Sequence, residues 1–216
     1  MKAVIPIELN AQQQLVDLSD LERFLSNNTS LKERDQVLPF FSSHPQLIAA
    51  LGWMNAAAGR PDRYATELEL FGDFSCDAAA GDLAAGAFTL IEFEDATEYS
   101  IFRALESGKP IRKWSARYEH GFSQLVDWAW RLGTEGDSQA KQRIFGTQPV
   151  SVHLLLVVGR NADLELQDFR RMSWRSQNVR LGAHSMSCLT FDDVLSTLRG
   201  RILVAQVDPL ANDPSA

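Results

Sequence analysis

The sequence is poor in the residues that staple or plate a protein from outside. It has two cysteines, Cys76 and Cys188, far apart in the chain. Two scattered thiols make neither a disulfide framework nor a zinc cluster, and they read as free buried thiols in a reducing cytoplasm. The four histidines, His44, His120, His153 and His184, show no metal-ligand spacing, which argues against zinc hydrolysis. No run of eighteen apolar residues occurs, so no membrane span is expected. The opening MKAVIPIELNAQQQ has no long apolar stretch or small-residue cleavage site and does not read as a signal peptide. A Walker loop, a dinucleotide glycine fingerprint and a Gly-x-Ser-x-Gly elbow are all missing, and VVGRNADLE carries only one glycine. Positive charge is also short: the formal net charge is −7. That argues against a general nucleic-acid coat, because phosphate affinity comes largely from Lys and Arg. A nuclease with carboxylates at a metal site and its basic residues on one face is still compatible.

At 216 residues, 45% hydrophobic and 23% charged, the chain reads as one globular α/β domain. We expect an N-terminal extension over 1–16, one domain over 17–203 (helical over 17–60, an α/β core over 61–203) and a disordered tail over 204–216. Ser19 with Glu22, and Ser30 with Glu33, have the spacing of capping boxes. Pro45 opens a further short helix, and the apolar stretch 37–51 suggests an exposed helix able to serve an interface.

After GRPDRY the periodicity changes. Residues 67–78 read as one or two strands, AAAGDLAAG as a connecting turn, and AFTLIEFE (87–94) as the strongest strand in the chain. A helix over 117–132 follows, with Phe122, Leu125, Val126 and Trp130 on one side. VSVHLLLVVG is a buried strand, 163–177 a helix, SMSCLTF a strand, and DDVLSTLRGR a closing helix capped by Thr190 or Asp192. This order implies a mixed β-sheet with helices on its faces.

On the strand 87–94, Phe88, Leu90, Glu92 and Glu94 share one side. The two carboxylates stand roughly 6.6 Å apart along the backbone, and like charges inside a sheet require a cation or a proton between them. Asp77, reaching the same side across a wide hairpin, would complete a set of oxygen ligands suited to Mg²⁺. Such an ion activates water and stabilises an attacked phosphodiester. Between this strand and the next helix, 103–117 holds Arg103, Lys109, Arg112, Lys113 and Arg117 against one acid, Glu106. It reads as a loop that tracks phosphates, with Trp114 placed to stack on bases. Arg170, Arg171, Arg175 and Arg180 form a second basic set.

These pieces in this order resemble the Shedu-type anti-phage defence proteins, whose shared C-terminal domain belongs to the PD-(D/E)XK nuclease superfamily. The resemblance runs from about Leu18 to Ile202 through LKERDQVLPFFSSHPQLIAALG, LELFGDFSCDAAAG, FTLIEFEDA, HGFSQLVDW, VVGR and CLTFDDVL. It implies a restriction-endonuclease-like fold and Mg²⁺- or Mn²⁺-dependent cleavage of DNA, with RNA left open as the target. It also implies assembly of identical chains. Asp77, Glu92 and the Phe93 carbonyl would hold the metal, Gln124 would orient the site, and Glu33 would support the metal through water. Lys109, Arg112, Lys113 and Arg117 would contact nucleic acid. One departure stands out. The superfamily's Lys, two residues beyond the second acid, is Glu94 here. Some restriction endonucleases resemble this variant, with Glu as the base; alternatively the domain keeps the fold as a nucleic-acid-binding or assembly module that no longer cuts.

Overall fold

The computed structural model describes residues 3–136 and 138–207. Six strands form one open sheet in the order β1-β2-β3-β4-β5-β6. They are Ile5–Pro6, Arg63–Leu70, Phe74–Asp82, Ala87–Phe93, Ser151–Val157 and Ser185–Leu189. The first four pair antiparallel, while β5 pairs parallel with both β4 and β6. Parallel neighbours need long crossovers. Here β4 to β5 carries α4 (Ala116–Thr134) and α5 (Ser138–Phe145), and β5 to β6 carries α6 (Leu166–Asn178). The fold is mixed α/β, an open mixed sheet flanked by helices, with an N-terminal helix.

Each face of the sheet has its own core. On one, Phe88 and Leu90 of β4 pack with Tyr118, Leu125 and Trp128 of α4 and Met172 of α6. On the other, Ile91 and Phe93 meet α1 (Ala11–Asn27), α3 (Pro45–Ala50) and α7 (Phe191–Val207). Phe93 stacks on Phe41 at 4.3 Å. Strand alternation therefore leaves β4 apolar on one side and gives the other side apolar residues followed by Glu92.

Several local expectations are corrected. The first helix starts at Ala11, where the Asn10 side chain accepts from the Gln13 amide. Ser19 lies mid-helix and donates to the Leu15 carbonyl. Glu33 does not close a capping box with Ser30; it opens a π-helical turn, Glu33–Val37, ahead of α2 (Leu38–Ser43). The stretch 37–51 is no exposed helix, because Val37, Phe41, Leu47, Ile48, Ala49, Ala50 and Leu51 are all buried. On α4, Val126 and Trp130 face solvent, and Trp128 takes the core position instead. Most of the expected turn AAAGDLAAG is strand, so β3 and β4 join through a tight hairpin whose turn Asp82 holds by accepting from the Ala85 amide. Thr190 caps α7, accepting from the Asp193 amide while Asp193 accepts from the Thr190 amide. That helix continues to Val207, so 204–207 is helical; the rest of the expected disordered tail lies outside the described residues. Cys76 and Cys188 are buried free thiols. Among the described residues, no helix is long and apolar enough to cross a membrane.

Candidate metal centre

The site forms where two strands part. Pairing of β3 with β4 runs from Asp82↔Ala87 to Ala78↔Ile91 and ends there. Continuing that register sets Asp77 opposite Glu92 and on the same face. Instead of a ladder bond, the Phe93 amide donates to Asp77 Oδ2 at 2.8 Å. On the far side of β3, Glu67 of β2 lies across from Asp77 and takes a φ of 50°. A non-glycine residue in this left-handed region carries strain, and here the strain sits beside the acids.

Helix α4 closes the pocket. Arg117, His120 and Gln124 follow the i, i+3, i+7 spacing of one helical stripe, and all three meet acids of the β4 end. Gln124 Nε2 donates to Glu92 Oε1 at 2.6 Å. His120 Nδ1 is 2.8 Å from Glu94 Oε1. Arg117 lies 3.1 Å from Glu94 Oε2 and 3.2 Å from Glu33 Oε2, and it reaches Asp95 at 3.7 Å. Gly121 makes this approach possible. A Cβ there would stand 2.6 Å from Leu156 Cδ1 and 3.0 Å from Glu94 Cγ, so any side chain would push the helix off the acid strand.

The electrostatics divide the acids into two kinds. Glu94 is 0% exposed and Glu92 is 6% exposed. Burial pushes both carboxyls above the usual range. For Glu92 the charge of Asp77 pushes further, followed by Glu94 and Glu33. For Glu94, His120 and Arg117 offset the burial only in part. Asp77 is raised too, by burial first and then by Glu33, Glu94 and Glu67, against the Phe93 amide. Asp95 behaves oppositely. Burial pushes it up, but the Glu33 amide at 2.9 Å, Lys32 at 3.0 Å and the Arg117 charge outweigh that and hold it low. Asp95 is a satisfied structural acid. Asp77, Glu92 and Glu94 are acids that burial leaves reluctant to carry charge without a counter-ion.

Ligand atoms of Glu92, Glu94 and His120 lie within 4.8 Å of one another, close enough to hold one metal ion. Glu94 Oε2 is buried and makes no hydrogen bond, although the Arg117 charge stands beside it. A hard divalent cation fits such a carboxylate-rich set with one imidazole.

Of the residues singled out from the sequence, the structure brings together Asp77, Glu92, Glu94, Gln124 and Glu33. Phe93 joins through its amide. Arg117 lies within the acid cluster, not in a separate phosphate-tracking loop. Arg112 is committed elsewhere, bonding to Asp168 and to the Phe102, Arg103 and Asp163 carbonyls, which pins its loop to the start of α6. Lys113 pairs with Glu106 at 2.8 Å, and Lys109 is exposed. His120 was missed because its partner, Glu94, is on a different element, at the end of β4. The stripe it shares with Arg117 and Gln124 was the available signal. His153 is a core residue, 2.9 Å from Ser185 Oγ, and burial pushes its imidazole down to about 4.

No curated protein matches this sequence. A family described as the Shedu protein SduA, C-terminal, matches residues 20–195. With more than three quarters of its length inside that match, and a cluster of acids where the two strands part, the chain belongs to the Shedu SduA C-terminal family.

Proposed function

We propose that this is the DNA-directed, divalent-cation-binding domain of a Shedu-type defence protein, and that as it stands it holds DNA without cutting it efficiently. One observation carries this reading, the seat of Glu94. The superfamily resemblance calls for a Lys at that place, to position water and support developing charge. Glu94 instead has one oxygen against His120 and the other against Arg117. Both oxygens face its neighbours on α4, Oε2 without a hydrogen bond, and a carboxylate at this place cannot bring the positive charge that a Lys would offer to the developing negative charge. Glu92, Glu94 and His120 would hold Mg²⁺ or Mn²⁺, with Asp77 and the Phe93 carbonyl contributing from the β3–β4 fork. A bound divalent ion would supply charge neutralisation and polarisation of a phosphodiester oxygen. The proposal takes 17–203 as one functional domain, working in a reducing cytoplasm, where two buried free thiols are at home, and assembling with identical chains.

A second reading is a Mg²⁺- or Mn²⁺-dependent DNA endonuclease in which Glu94 is the base. The convergence of Glu92, Glu94 and His120 within 4.8 Å favours it. Supercoiled and linear DNA incubated with Mg²⁺ or Mn²⁺ separate the two. We expect wild type to be stabilised thermally by metal yet to leave DNA intact, Glu92→Ala to lose the metal response, and Glu94→Lys to acquire cutting. Efficient cutting by wild type that disappears in Glu92→Ala would replace the first reading with the second. Absence of both a metal response and DNA binding would remove both.

A further inference from the structure

Behind α4, away from the acids, lies a groove of a different chemistry. Two adjoining cavities of about 550 and 360 Å³ share Trp114 and Arg171 as a common wall. One runs along α6, past Arg170, Trp174 and Arg175; the other runs under the loop holding Lys109, Arg112 and Lys113. The residues lining the two include six cations and no carboxylate; Arg112, Lys113 and Arg175 pair with Asp168, Glu106 and Glu119 outside the lining, and Lys109, Arg170 and Arg171 complete the set. This occurs in a chain whose net charge is −7.

The floor is aromatic. Phe102, Trp114 and Tyr118 stack in sequence at 4.3 Å each, and Phe122 continues the column. Arg171 lies over Phe102 and Trp114 at 4.7 and 4.9 Å, and Arg175 lies over Phe122 at 3.8 Å. Guanidinium planes on ring faces form a flat, donor-rich surface. Trp174 is 65% exposed on the rim, an unusual place to leave the largest aromatic side chain. Arg170 is exposed in the same cavity, and Lys109 in the adjoining one.

Cationic walls, stacked rings and a free indole call for a ligand that is anionic along its length and carries flat π-faces. A duplex offers phosphates but keeps its bases stacked inside. A single strand offers both. We propose that this groove binds single-stranded DNA, a segment of the DNA that the preceding section assigns to the domain; the inference rests on that reading. The exposed Trp174 stacks on a base, and Arg170, Lys109 and Lys113 track the phosphates.

The test is fluorescence anisotropy of a labelled oligo(dT) 15-mer with the full chain in EDTA, which removes the metal from the comparison. A duplex of equal length and oligo(U) serve as competitors. Trp174→Ala, at an exposed position, should weaken oligo(dT) binding by about 5- to 150-fold, the range of one lost base stack, and Arg170→Glu, also exposed, should weaken it through lost phosphate attraction. The remote charge reversal Arg201→Glu should change it less than 2-fold (roughly, by the small effects of surface sites). Melting curves of each variant establish that it folds. If oligo(dT) binds but Trp174→Ala and Arg170→Glu leave affinity unchanged, the groove assignment falls while the DNA-directed reading stands. If neither duplex nor single strand binds, both fall. Stronger competition by the duplex, or by oligo(U), overturns the choice of single-stranded DNA. A Trp174→Ala variant that dissociates an oligomer in light scattering, without loss of oligo(dT) binding, reassigns the groove to a second copy.

Discussion

The acid pocket and the basic groove lie on two sides of one helix, α4, and they handle charge in opposite ways. On the first side the charges are buried: Glu92 and Glu94 sit in the sheet, and Arg117 is brought to them. On the second side the charges lie nearer the surface: Arg171 and the half-buried Arg175, which pairs with Glu119, lie on ring faces, and Arg170 reaches into water. Buried charge must be compensated or neutralised, so the first set is coupled to folding. An exposed charge such as Arg170 has little effect on the fold, so it is free to serve binding. The same residue type therefore has different roles on the two sides, Arg117 of α4 among the acids and Arg170 of α6 in the groove.

The largest effect that follows is on stability. Arg117→Ala strands Glu94 without its cation. Breaking a fully buried pair costs about 3–5 kcal/mol, but Arg117 is 44% exposed, so water screens part of the loss. We expect about 2 kcal/mol, or roughly 4–8 °C in melting temperature for a domain of this size. The double variant Arg117→Ala with Glu94→Gln should recover most of it, because the orphaned charge is gone. Arg170→Ala should stay within about 0.5 kcal/mol. Equal losses at the two arginines would erase the contrast between the two sides.

The next effect depends on pH. Folding raises the carboxyl pKa values of Asp77, Glu92 and Glu94, chiefly through burial. An acid whose folded pKa exceeds its unfolded value contributes its stability fully below the unfolded value, about 4. That contribution is lost as pH climbs through the folded value. Metal-free protein should therefore melt lower at pH 8 than at pH 5. Glu92→Gln, which cannot ionise, should melt higher than wild type at pH 8 by a few degrees, about 1 kcal/mol, and match it near pH 4.5. Mg²⁺ or Mn²⁺ should raise the wild-type melting temperature more at pH 8, where it replaces a charge, than at pH 5, where it competes with a proton. A pH-independent melting temperature in the metal-free protein would mean that these acids are not held against their charge.

How much of this could be read beforehand follows the range of the forces involved. Strand β4 was legible because its alternation is local, and its register alone aligned Asp77 with Glu92. The second half of β3 was hidden, since AAAGD has the composition of a turn. Its small residues serve packing: a Cβ on Gly52 would come within 3.1 Å of the Gly81 backbone nitrogen, so bulk here would lift the turn after α3 off the sheet. The start of α1 was hidden as well, because Gln12 to Gln14 carry no apolar period, while Asn10 supplies the cap. At the site, the acids were visible as a pattern within one strand. Arg117 and His120 were not, because their partners are brought to them by a crossover, and nothing in linear spacing records that Gly121 lets the helix come so close. The groove is the same case on a larger scale: its two basic stretches were each visible, but the aromatic column that joins them exists only after folding.

The smallest effect separates charge from stacking within the groove. Each phosphate contact with a single strand contributes about −0.7 to the slope of log affinity against log salt, through release of condensed counterions. A stacked indole releases none. Arg170→Gln should therefore make the slope for oligo(dT) shallower by about 0.7, whereas Trp174→Ala should lower affinity at every salt concentration and leave the slope in place. The sign of the slope change matters more than the loss of affinity, which both variants share. If Trp174→Ala flattens the slope as much as Arg170→Gln does, the indole is only holding cations in position, and the strand runs along the rim. If neither changes it, the phosphates follow Lys109 and Lys113 instead, and the path of the strand shifts from α6 to the loop.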